Sequence, residues 1–216
     1  MKVNEIFYSI QGEGSHAGSP CIFVRLSGCN LSCSWCDTTY HNEGQHMTVD
    51  EVFKAIQQYD CKLVEITGGE PLLQKEELEE LAQELYHNGY SILIETNNTI
   101  RPTFALKLYV DKFIVDVKCP SSGAPFDEKG SKVLEYWGIR DEIKFVVADV
   151  LDFGFAVDVM DKHLRHFQGN IYFSPVWGQM IFQNLANYVR DLGNDPRVRM
   201  QIQMHKIIWD VNRRGV

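Results

Sequence analysis

Gly28-Cys29-Asn30-Leu31-Ser32-Cys33-Ser34-Trp35-Cys36-Asp37-Thr38 places three cysteines close together in the spacing C-x3-C-x2-C. No fourth cysteine is near enough in the sequence to complete a tetrahedral set. Cysteine sulfur holds 4Fe-4S clusters, and three thiolates would leave the fourth iron open to another ligand. The spacing therefore predicts an iron-sulfur cluster with one vacant coordination position, which is a place for chemistry.

Two other uses of these cysteines are open to test. Structural zinc takes four ligands, so a triplet would need His41 or His46 as the fourth. Disulfides need an oxidising compartment, and the chain begins without a charged leader and apolar core, so we expect a reducing cytoplasm. We expect the other cysteines, Cys21, Cys61 and Cys119, to be buried or unremarkable thiols.

The composition limits the classes of function. A chain of 216 residues with 44% hydrophobic content fits one domain, spanning 1–216, with a sizeable core. No apolar run approaches the ~20 residues that a membrane span needs. The net charge of −8 opposes a nucleic-acid partner and favours a small-molecule substrate.

Strand-like segments alternate with helical ones along the chain, which is typical of parallel βαβ units. Predicted strands cover 3–10, 21–26, 62–66, 91–95, 112–117, 142–147, 170–174 and 198–203, and predicted helices cover 75–88, 127–137, 151–167, 179–192, a segment opening at Thr48-Val49-Asp50-Glu51 and another after Pro102. About six β/α units are too few for a closed barrel, so we expect an α/β fold with an incomplete TIM-like barrel. A doubly wound sheet is the alternative fold, because it also places its loops at the carboxyl ends of its strands.

Polar motifs follow the predicted strands at their carboxyl ends. The cysteine loop, residues 28–40, follows the first parallel strand, and Thr67-Gly68-Gly69-Glu70-Pro71 follows the next. Thr96-Asn97 and Lys118 follow the third and fourth. Two glycines let the backbone meet a polar ligand, although an ordinary strand-to-helix turn is the alternative.

Arg25 and Thr38 flank the cysteine loop with different chemistry. Arg25 is a charge within an apolar strand, suited to grip a carboxylate, and the alternative is a salt bridge to Glu13 or Glu65. The Thr38 hydroxyl is an acceptable magnesium ligand, or else a turn residue bonded to its own backbone. Gln11 and Glu13 lie in a glycine-rich turn and can bond the edge of a polar ligand or hold the turn itself.

The cysteine spacing resembles the signature of the radical S-adenosylmethionine (SAM) superfamily, in which SAM chelates the open iron. Four segments resemble one family more narrowly, the 7-carboxy-7-deazaguanine synthases of the queuosine precursor pathway. They are Asn4-Glu5-Ile6-Phe7-Tyr8-Ser9-Ile10-Gln11-Gly12-Glu13-Gly14, then Arg25, then Cys36-Asp37-Thr38, and Thr67-Gly68-Gly69-Glu70-Pro71. This resemblance implies a radical SAM core that forms a single domain.

The resemblance also implies roles for particular residues. It assigns the cluster to Cys29, Cys33 and Cys36, and a Mg²⁺ ion to Thr38. The implied substrate-binding residues are Ile10, Gln11, Gly12, Glu13, Arg25, Thr67 and Val216. The implied SAM-binding residues are Trp35, Cys36, Asp37, Gly69, Glu70, Asn97, Asp116, Val117 and Lys118. No side chain is expected as a catalyst, because the radical comes from SAM.

Several positions depart from the family's pattern or have a second interpretation. Asn98 replaces the glycine of the usual E-T-N-G-T, and asparagine tolerates positive φ well. Only Lys118 matches where some members carry Ser-Pro-Lys. Trp35 could instead pack the loop against the core. Gln203 and His205-Lys206 resemble the family's closing Gln-x-His-Lys, whereas residues 213–216 could be a solvated tail.

The implied reaction is that of a carbon-nitrogen lyase. Reduced cluster cleaves SAM to a 5′-deoxyadenosyl radical, which takes a hydrogen from C6 of 6-carboxy-5,6,7,8-tetrahydropterin. The ring then contracts, releasing ammonia and giving 7-carboxy-7-deazaguanine, with SAM regenerated. The resemblance implies flavodoxin or ferredoxin as electron donor and a homodimer. Two alternatives are a glycyl-radical enzyme activase of the same superfamily and a non-catalytic iron-sulfur electron-transfer protein.

Overall fold

One sheet runs through the computed structural model, which describes residues 1–124, 126–211 and 213–216. Its strands among these residues are β1 Lys2–Ile10, β2 Pro20–Leu26, β3 Gln45–His46, β4 Leu63–Gly68, β5 Ser91–Thr96, β6 Lys112–Val117, β7 Glu142–Val147, β8 Asn170–Pro175 and β9 Val198–Met200. They are arranged in the order β3-β1-β2-β4-β5-β6-β7-β8-β9. β1 is antiparallel to β2 and β3, and every pairing from β2 across to β9 is parallel.

Helices connect the parallel strands. They are α1 Val49–Ile56, α2 Lys75–His87, α3 Phe104–Tyr109, α4 Glu128–Leu134, α5 Val150–His163 and α6 Phe182–Asp191, with a short α7 at His205–Ile208 near the chain end. Each of α1 to α6 lies between two successive parallel strands, which makes six β/α units within the described residues. The sheet stays open because β3 and β9 do not pair with each other. The predicted incomplete barrel is confirmed.

Side chains alternate along each strand between an apolar core on one face of the sheet and a polar cavity on the other. In β7, Ile143 and Phe145 belong to the core that the helices cover, whereas the intervening Lys144 lines a cavity. In β4, Ile66 belongs to the core, and Glu65 lines the cavity. Because strand side chains alternate between faces, one face packs on helices and the other carries the functional groups.

Local signals explain several helix boundaries. The Thr48 hydroxyl accepts a 3.2 Å bond from the Glu51 amide, while the Glu51 carboxylate accepts a 2.8 Å bond from the Thr48 amide. This capping box is the one that the sequence predicts for α1. α2 ends just before Gly89, whose φ of 72° suits glycine.

Other boundaries differ from the sequence prediction. α5 ends at His163 rather than continuing to 167. The reason lies in the Arg197 guanidinium, which donates bonds of 2.7 and 2.6 Å to the carbonyls of Leu164 and Phe167 and so replaces further helical bonding. The sequence did not predict β3 or α7. Among the described residues, no helix is both long and apolar enough to cross a membrane.

Candidate active site

A cavity of about 640 Å³ lies where the parallel strands end. Most of the site residues predicted from the sequence line it together. These are Ile10, Gln11, Gly12, Glu13, Arg25, Cys29, Cys33, Trp35, Cys36, Asp37, Thr38, Thr67, Gly69, Asn97, Asp116, Lys118 and Val216. The two exceptions are Glu70 and Val117, which are buried outside its lining.

The cysteine loop presents three unpaired thiols to this cavity. Cys29, Cys33 and Cys36 are all free and partly exposed. In the part of the chain that the structure describes, no three His, Cys, Asp or Glu side chains are arranged around one metal ion. Each thiolate of a cluster binds a different iron, so three cysteines are enough for a cluster, whereas structural zinc needs a fourth ligand from the protein.

Burial and a nearby lysine act in opposite directions on the ionisation of the thiols. Burial raises the pKa of the Cys33 and Cys36 thiols, while the Lys118 ammonium acts in the opposite direction on both. Burial opposes the charge on Lys118, but Asp116, at 2.8 Å, and Cys33 keep the Lys118 pKa above its ordinary value. A fixed cation beside the loop therefore assists the deprotonation that iron binding requires.

The two glycines after β4 let other backbone approach closely. Gly68 has φ 145°, and a Cβ there would collide with backbone of Leu26 at the end of β2. A Cβ on Gly69 would collide with the Gly28 carbonyl and with Cys29. The Gly-Gly pair thus seats the cysteine loop directly on the end of β4.

Glu70 organises the ends of β4 and β5 from behind the cavity. It is fully buried, and its carboxylate accepts bonds from the Leu72 amide at 2.9 Å, the Thr96 hydroxyl at 3.0 Å and the Asn97 amide at 2.7 Å. Burial raises the pKa of Glu70 to about 7, although these bonds act against that rise. Asn97 in turn donates its side-chain amide to Asn30 at 3.0 Å.

Asn98 adopts the conformation that the sequence analysis allowed it. Its φ is 64°, in the left-handed region, so asparagine here does the work of the family's glycine. Its side-chain amide donates to the Gly130 carbonyl at 3.0 Å and accepts from the Trp137 indole at 2.9 Å. The turn therefore survives the substitution.

Arg25 and Thr38 meet at one side of the cavity. Arg25 forms a salt bridge with Glu5, at 2.7 Å from Nε. The alternative prediction of a salt bridge to Glu13 or Glu65 is therefore wrong, because the partner is Glu5. Arg25 Nη1 donates to the Thr38 hydroxyl across 3.4 Å, and that hydroxyl donates to Asp37 across 3.3 Å. Both bonds are long, so a stronger ligand could replace them.

A network of charges surrounds Lys144, which is 4% exposed. Its ammonium pairs with Glu95, with Glu13 at 3.2 Å and with Asp116 at 3.8 Å. Burial raises the Glu13 pKa, but Lys144 and a bond from Gln203 outweigh it and leave the value lowered. Glu65, by contrast, has a raised pKa because burial and the neighbouring Glu95 disfavour its charge.

Sequence reasoning left the charged residues Glu65, Glu95 and Lys144 out of the site, although they line the cavity. Gln203, His205 and Lys206, noted in the sequence as a closing motif, line it as well. A signal existed for Lys144, since it is a cation within the apolar strand Glu142–Val147. A buried charge usually has a partner, but the sequence could not identify Glu13, Glu95 and Asp116, which belong to three other segments of the chain.

The chain end contacts the cysteine loop. Lys206 pairs with Asp37 at 2.9 Å, and Arg214 pairs with Glu43 at 2.9 Å while its guanidinium lies 3.5 Å from the centre of the Tyr40 ring. Gly215 and Val216 line the cavity, so these last residues are more than a solvated tail.

Comparisons with known proteins identify the class first. A family model described as the radical SAM superfamily matches residues 23–115. The crystal structure of QueE from Escherichia coli has the same fold, with a TM-score of 0.70 at 24% identity over 94% of this chain and 93% of that one. The matched family model and the free thiols of the cavity both indicate the radical SAM class, and the solved structure shows the fold.

Relatives then identify the family. A 7-carboxy-7-deazaguanine synthase of Koribacter versatilis is 42% identical over 234 residues, covering 100% of both chains. One of Methanospirillum hungatei JF-1 is 42% identical over 96% of this chain and 85% of its own length. The chain belongs to the 7-carboxy-7-deazaguanine synthase family, which confirms the resemblance noted in the sequence and favours it over an activase or an electron-transfer protein. This family implies a 4Fe-4S cluster and SAM as cofactors.

Proposed function

We propose that this enzyme converts 6-carboxy-5,6,7,8-tetrahydropterin to 7-carboxy-7-deazaguanine with release of ammonia, using SAM, a 4Fe-4S cluster and Mg²⁺. The observation that carries the proposal is the convergence in one cavity of three free thiols with Arg25 and Thr38. A carboxylated substrate explains why a cation and a hydroxyl adjoin the cluster loop. The proposal also takes residues 1–216 as a single domain.

The thiols define one end of the cavity. Cys29, Cys33 and Cys36 would hold the cluster, and the SAM-binding residues beside them would include Trp35, Asp37, Gly69, Asn97, Asp116, Val117 and Lys118. When bound, these cofactors supply hydrogen-atom abstraction, while the protein's part is to position the reacting groups and exclude water. Glu70 would act on SAM through Asn97, because its own carboxylate is bonded inside the protein.

The substrate would occupy the space next to the thiols. Arg25 would grip its carboxylate, and Thr38 would place its hydroxyl on Mg²⁺ bound to the same carboxylate. The substrate carboxylate would lie between the two cations and offset the repulsion between Mg²⁺ and the Arg25 guanidinium, which Glu5 neutralises only in part. Other polar atoms would contact the pterin from Ile10, Gln11, Gly12, Glu13, Thr67 and Val216.

The reaction itself tests the proposal. Anaerobically reconstituted enzyme, given a chemical reductant, SAM, Mg²⁺ and the carboxypterin, should release ammonia and form the ring-contracted product. Mass spectrometry and an ammonia assay measure both. If 5′-deoxyadenosine forms without any ring-contracted product, the substrate assignment is wrong although the radical SAM chemistry is intact.

Magnesium has a separate test at Thr38. Thr38→Ala should retain iron content and SAM affinity but need about tenfold more Mg²⁺ for half-maximal rate, because one oxygen ligand is gone. Thr39→Ala, one residue on, is the matched control and should keep the original Mg²⁺ dependence. Loss of iron in the Thr38 variant would refute the division of roles between the thiols and the hydroxyl.

The remaining assignments concern partners. We include flavodoxin or ferredoxin as electron donor, a homodimer and a cytoplasmic setting in the proposal. Turnover with reduced flavodoxin in place of a chemical reductant, and sedimentation of the reconstituted protein, are the measurements. A monomer at micromolar concentration would contradict the dimer.

A further inference from the structure

Asp152 is a buried carboxylate behind the cavity, 1% exposed, in the first turn of α5. It accepts a 2.9 Å bond from the Ser121 amide, a second bond from the Ser121 hydroxyl and a 2.9 Å bond from the Ala148 amide. A buried carboxylate is costly unless donors surround it, and these three donors do so. Two of the three belong to Ser121.

The Ser121 hydroxyl has a fixed direction. The Trp35 indole N–H lies 3.2 Å from it and can only donate, while the Asp152 carboxylate can only accept. The hydroxyl hydrogen therefore points to Asp152, and an oxygen lone pair faces Trp35. This order, from the Trp35 indole through Ser121 to Asp152, we name the indole relay.

The same segment holds the cysteine loop at a second point. The Ser34 hydroxyl donates to the Ser121 carbonyl at 2.7 Å, and the Ser34 amide donates to the Ser122 carbonyl at 2.8 Å. The Trp35 ring packs against Val146, Ala148 and Val176. The middle of the loop, between its second and third thiols, is thus docked on the segment after β6.

A purely structural role for Asp152 would be to cap α5. That role is already filled, since Asp149 is the N-cap and its carboxylate accepts from the amides of Leu151 and Asp152 at 2.9 Å each. The Asp152 carboxylate points away from the helix to Ser121. Its bonds serve the loop after β6 more than the helix.

We propose that Asp152 is a positioning residue for SAM, acting through Ser121 on the orientation of the Trp35 ring. This inference rests on the proposed function in one respect, namely that Trp35 contacts SAM. Neither Asp152 nor Ser121 needs to touch the cofactor. The effect should fall on SAM affinity and leave the pterin affinity unchanged.

SAM binding to the reconstituted enzyme, by equilibrium dialysis, is the first measurement. Ser121→Ala removes the hydroxyl but keeps the bonds from the Ser121 and Ala148 amides, and it should raise the Kd for SAM about tenfold. Asp152→Asn should have a similar effect. Asp158→Asn, at an exposed position on the same helix, is the control and should leave the Kd unchanged.

A double-substitution cycle separates positioning from general damage. Trp35→Phe has no N–H to orient, so adding Ser121→Ala to it should cause no further change in the Kd. Ser121→Thr keeps the hydroxyl and should restore SAM affinity. Hydrogen exchange of the peptide containing residues 33–36 should rise in Ser121→Ala and Asp152→Asn, with or without SAM.

Two failures can be told apart. If exchange at residues 33–36 rises while the Kd for SAM stays within twofold in Ser121→Ala and Asp152→Asn, the inference is overturned and the proposed function stands. If the unaltered holoenzyme does not bind SAM at all, the proposed function fails and the inference falls with it. Additive effects in the Trp35 cycle would also overturn the indole relay.

Discussion

The two ends of the cavity are built in opposite ways. At the thiol end, formed by Cys29, Cys33, Trp35, Cys36 and Lys118, the main groups lie within one short loop that glycines seat on the sheet. At the charged end, Lys144 gathers Glu13, Glu95 and Asp116 from three separate segments. The first depends on sequence spacing and backbone fit, the second on tertiary electrostatics.

The difference shows what each end needs from the protein. A cluster imposes its own geometry on its ligands, so a loop with correctly spaced thiols suffices. A polar substrate does not impose a geometry on the residues that bind it, so the protein must hold those residues rigid before binding. The charged end holds its recognition groups rigid with buried ion pairs. Such pairs cost desolvation energy to form, and removing one partner strongly destabilises the protein.

The largest effect is expected at the thiol end. Cys33→Ala should abolish activity and lower the iron content of the reconstituted enzyme to near background, because two thiolates do not retain the cluster. Cys61→Ala removes a free thiol that does not line the cavity and should keep both. Iron analysis together with the product assay measures this, and a fully loaded Cys33 variant would contradict the cluster assignment.

Substitution of Lys144 at the charged end should lower the stability of the protein. Lys144→Met leaves Glu13 and Glu95 without their buried cation, whereas Asp116 keeps Lys118, and it should lower the free energy of unfolding by about 3–5 kcal/mol. Urea unfolding is the measurement. Lys162→Met removes a lysine whose side chain is 65% exposed and should change stability little. Equal effects of the two would mean that the buried network adds nothing.

Glu70, behind the thiol end, should give a pH signature. The pKa of its carboxyl has the ordinary value of 4.5 in the unfolded chain, and burial raises that pKa to about 7 in the folded protein. The folded state thus keeps a proton that unfolding releases, so this contribution is complete below pH 4.5 and is lost as pH rises to about 7. The loss is about 3 kcal/mol.

Glu70→Gln is the variant that isolates this contribution. The unaltered protein should lose stability relative to it between pH 4.5 and 7, as followed by urea unfolding at several pH values. Glu80→Gln, on the exposed side of α2, should preserve the original slope. Parallel curves for Glu70→Gln and the unaltered protein would show that Glu70 ionises normally.

The smallest effect is expected where the two ends meet. Arg25→Lys keeps the charge but loses the two-pronged geometry, and should raise the KM for the carboxypterin about tenfold without changing the KM for SAM. Arg190→Lys, an exposed position paired with Asp191, is the control. Equal changes in both KM values would assign Arg25 to the site as a whole rather than to the substrate.

Sequence reasoning succeeded where short-range rules act. The strands Lys112–Val117 and Glu142–Val147 match their predicted limits, and the Thr48 capping box is present. These features depend on residues within a few positions of one another. The thiol loop and its position after a strand could be predicted for the same reason.

The rest depends on contacts between distant residues. The end of α5 is decided by Arg197, more than thirty residues further on. The partners of Lys144 are set by the order in which the strands lie in the sheet and by the position of the turn after β1. Glu70 could be recognised as part of a motif, but not as a carboxylate bonded to Thr96 and Asn97 rather than facing the cavity. Spacing identifies a residue's neighbours along the chain, whereas such pairings arise only on folding.

The six cysteines also divide into two populations by chemical reactivity. Cys21 and Cys119 are fully buried, and burial raises both pKa values, so alkylating reagents and oxidants reach them only on unfolding. Cys29, Cys33, Cys36 and Cys61 are accessible. Iodoacetamide should therefore label four thiols in native protein without iron but only Cys61 once the cluster is bound, so a mass spectrum reports cluster occupancy directly and air oxidation begins at the loop.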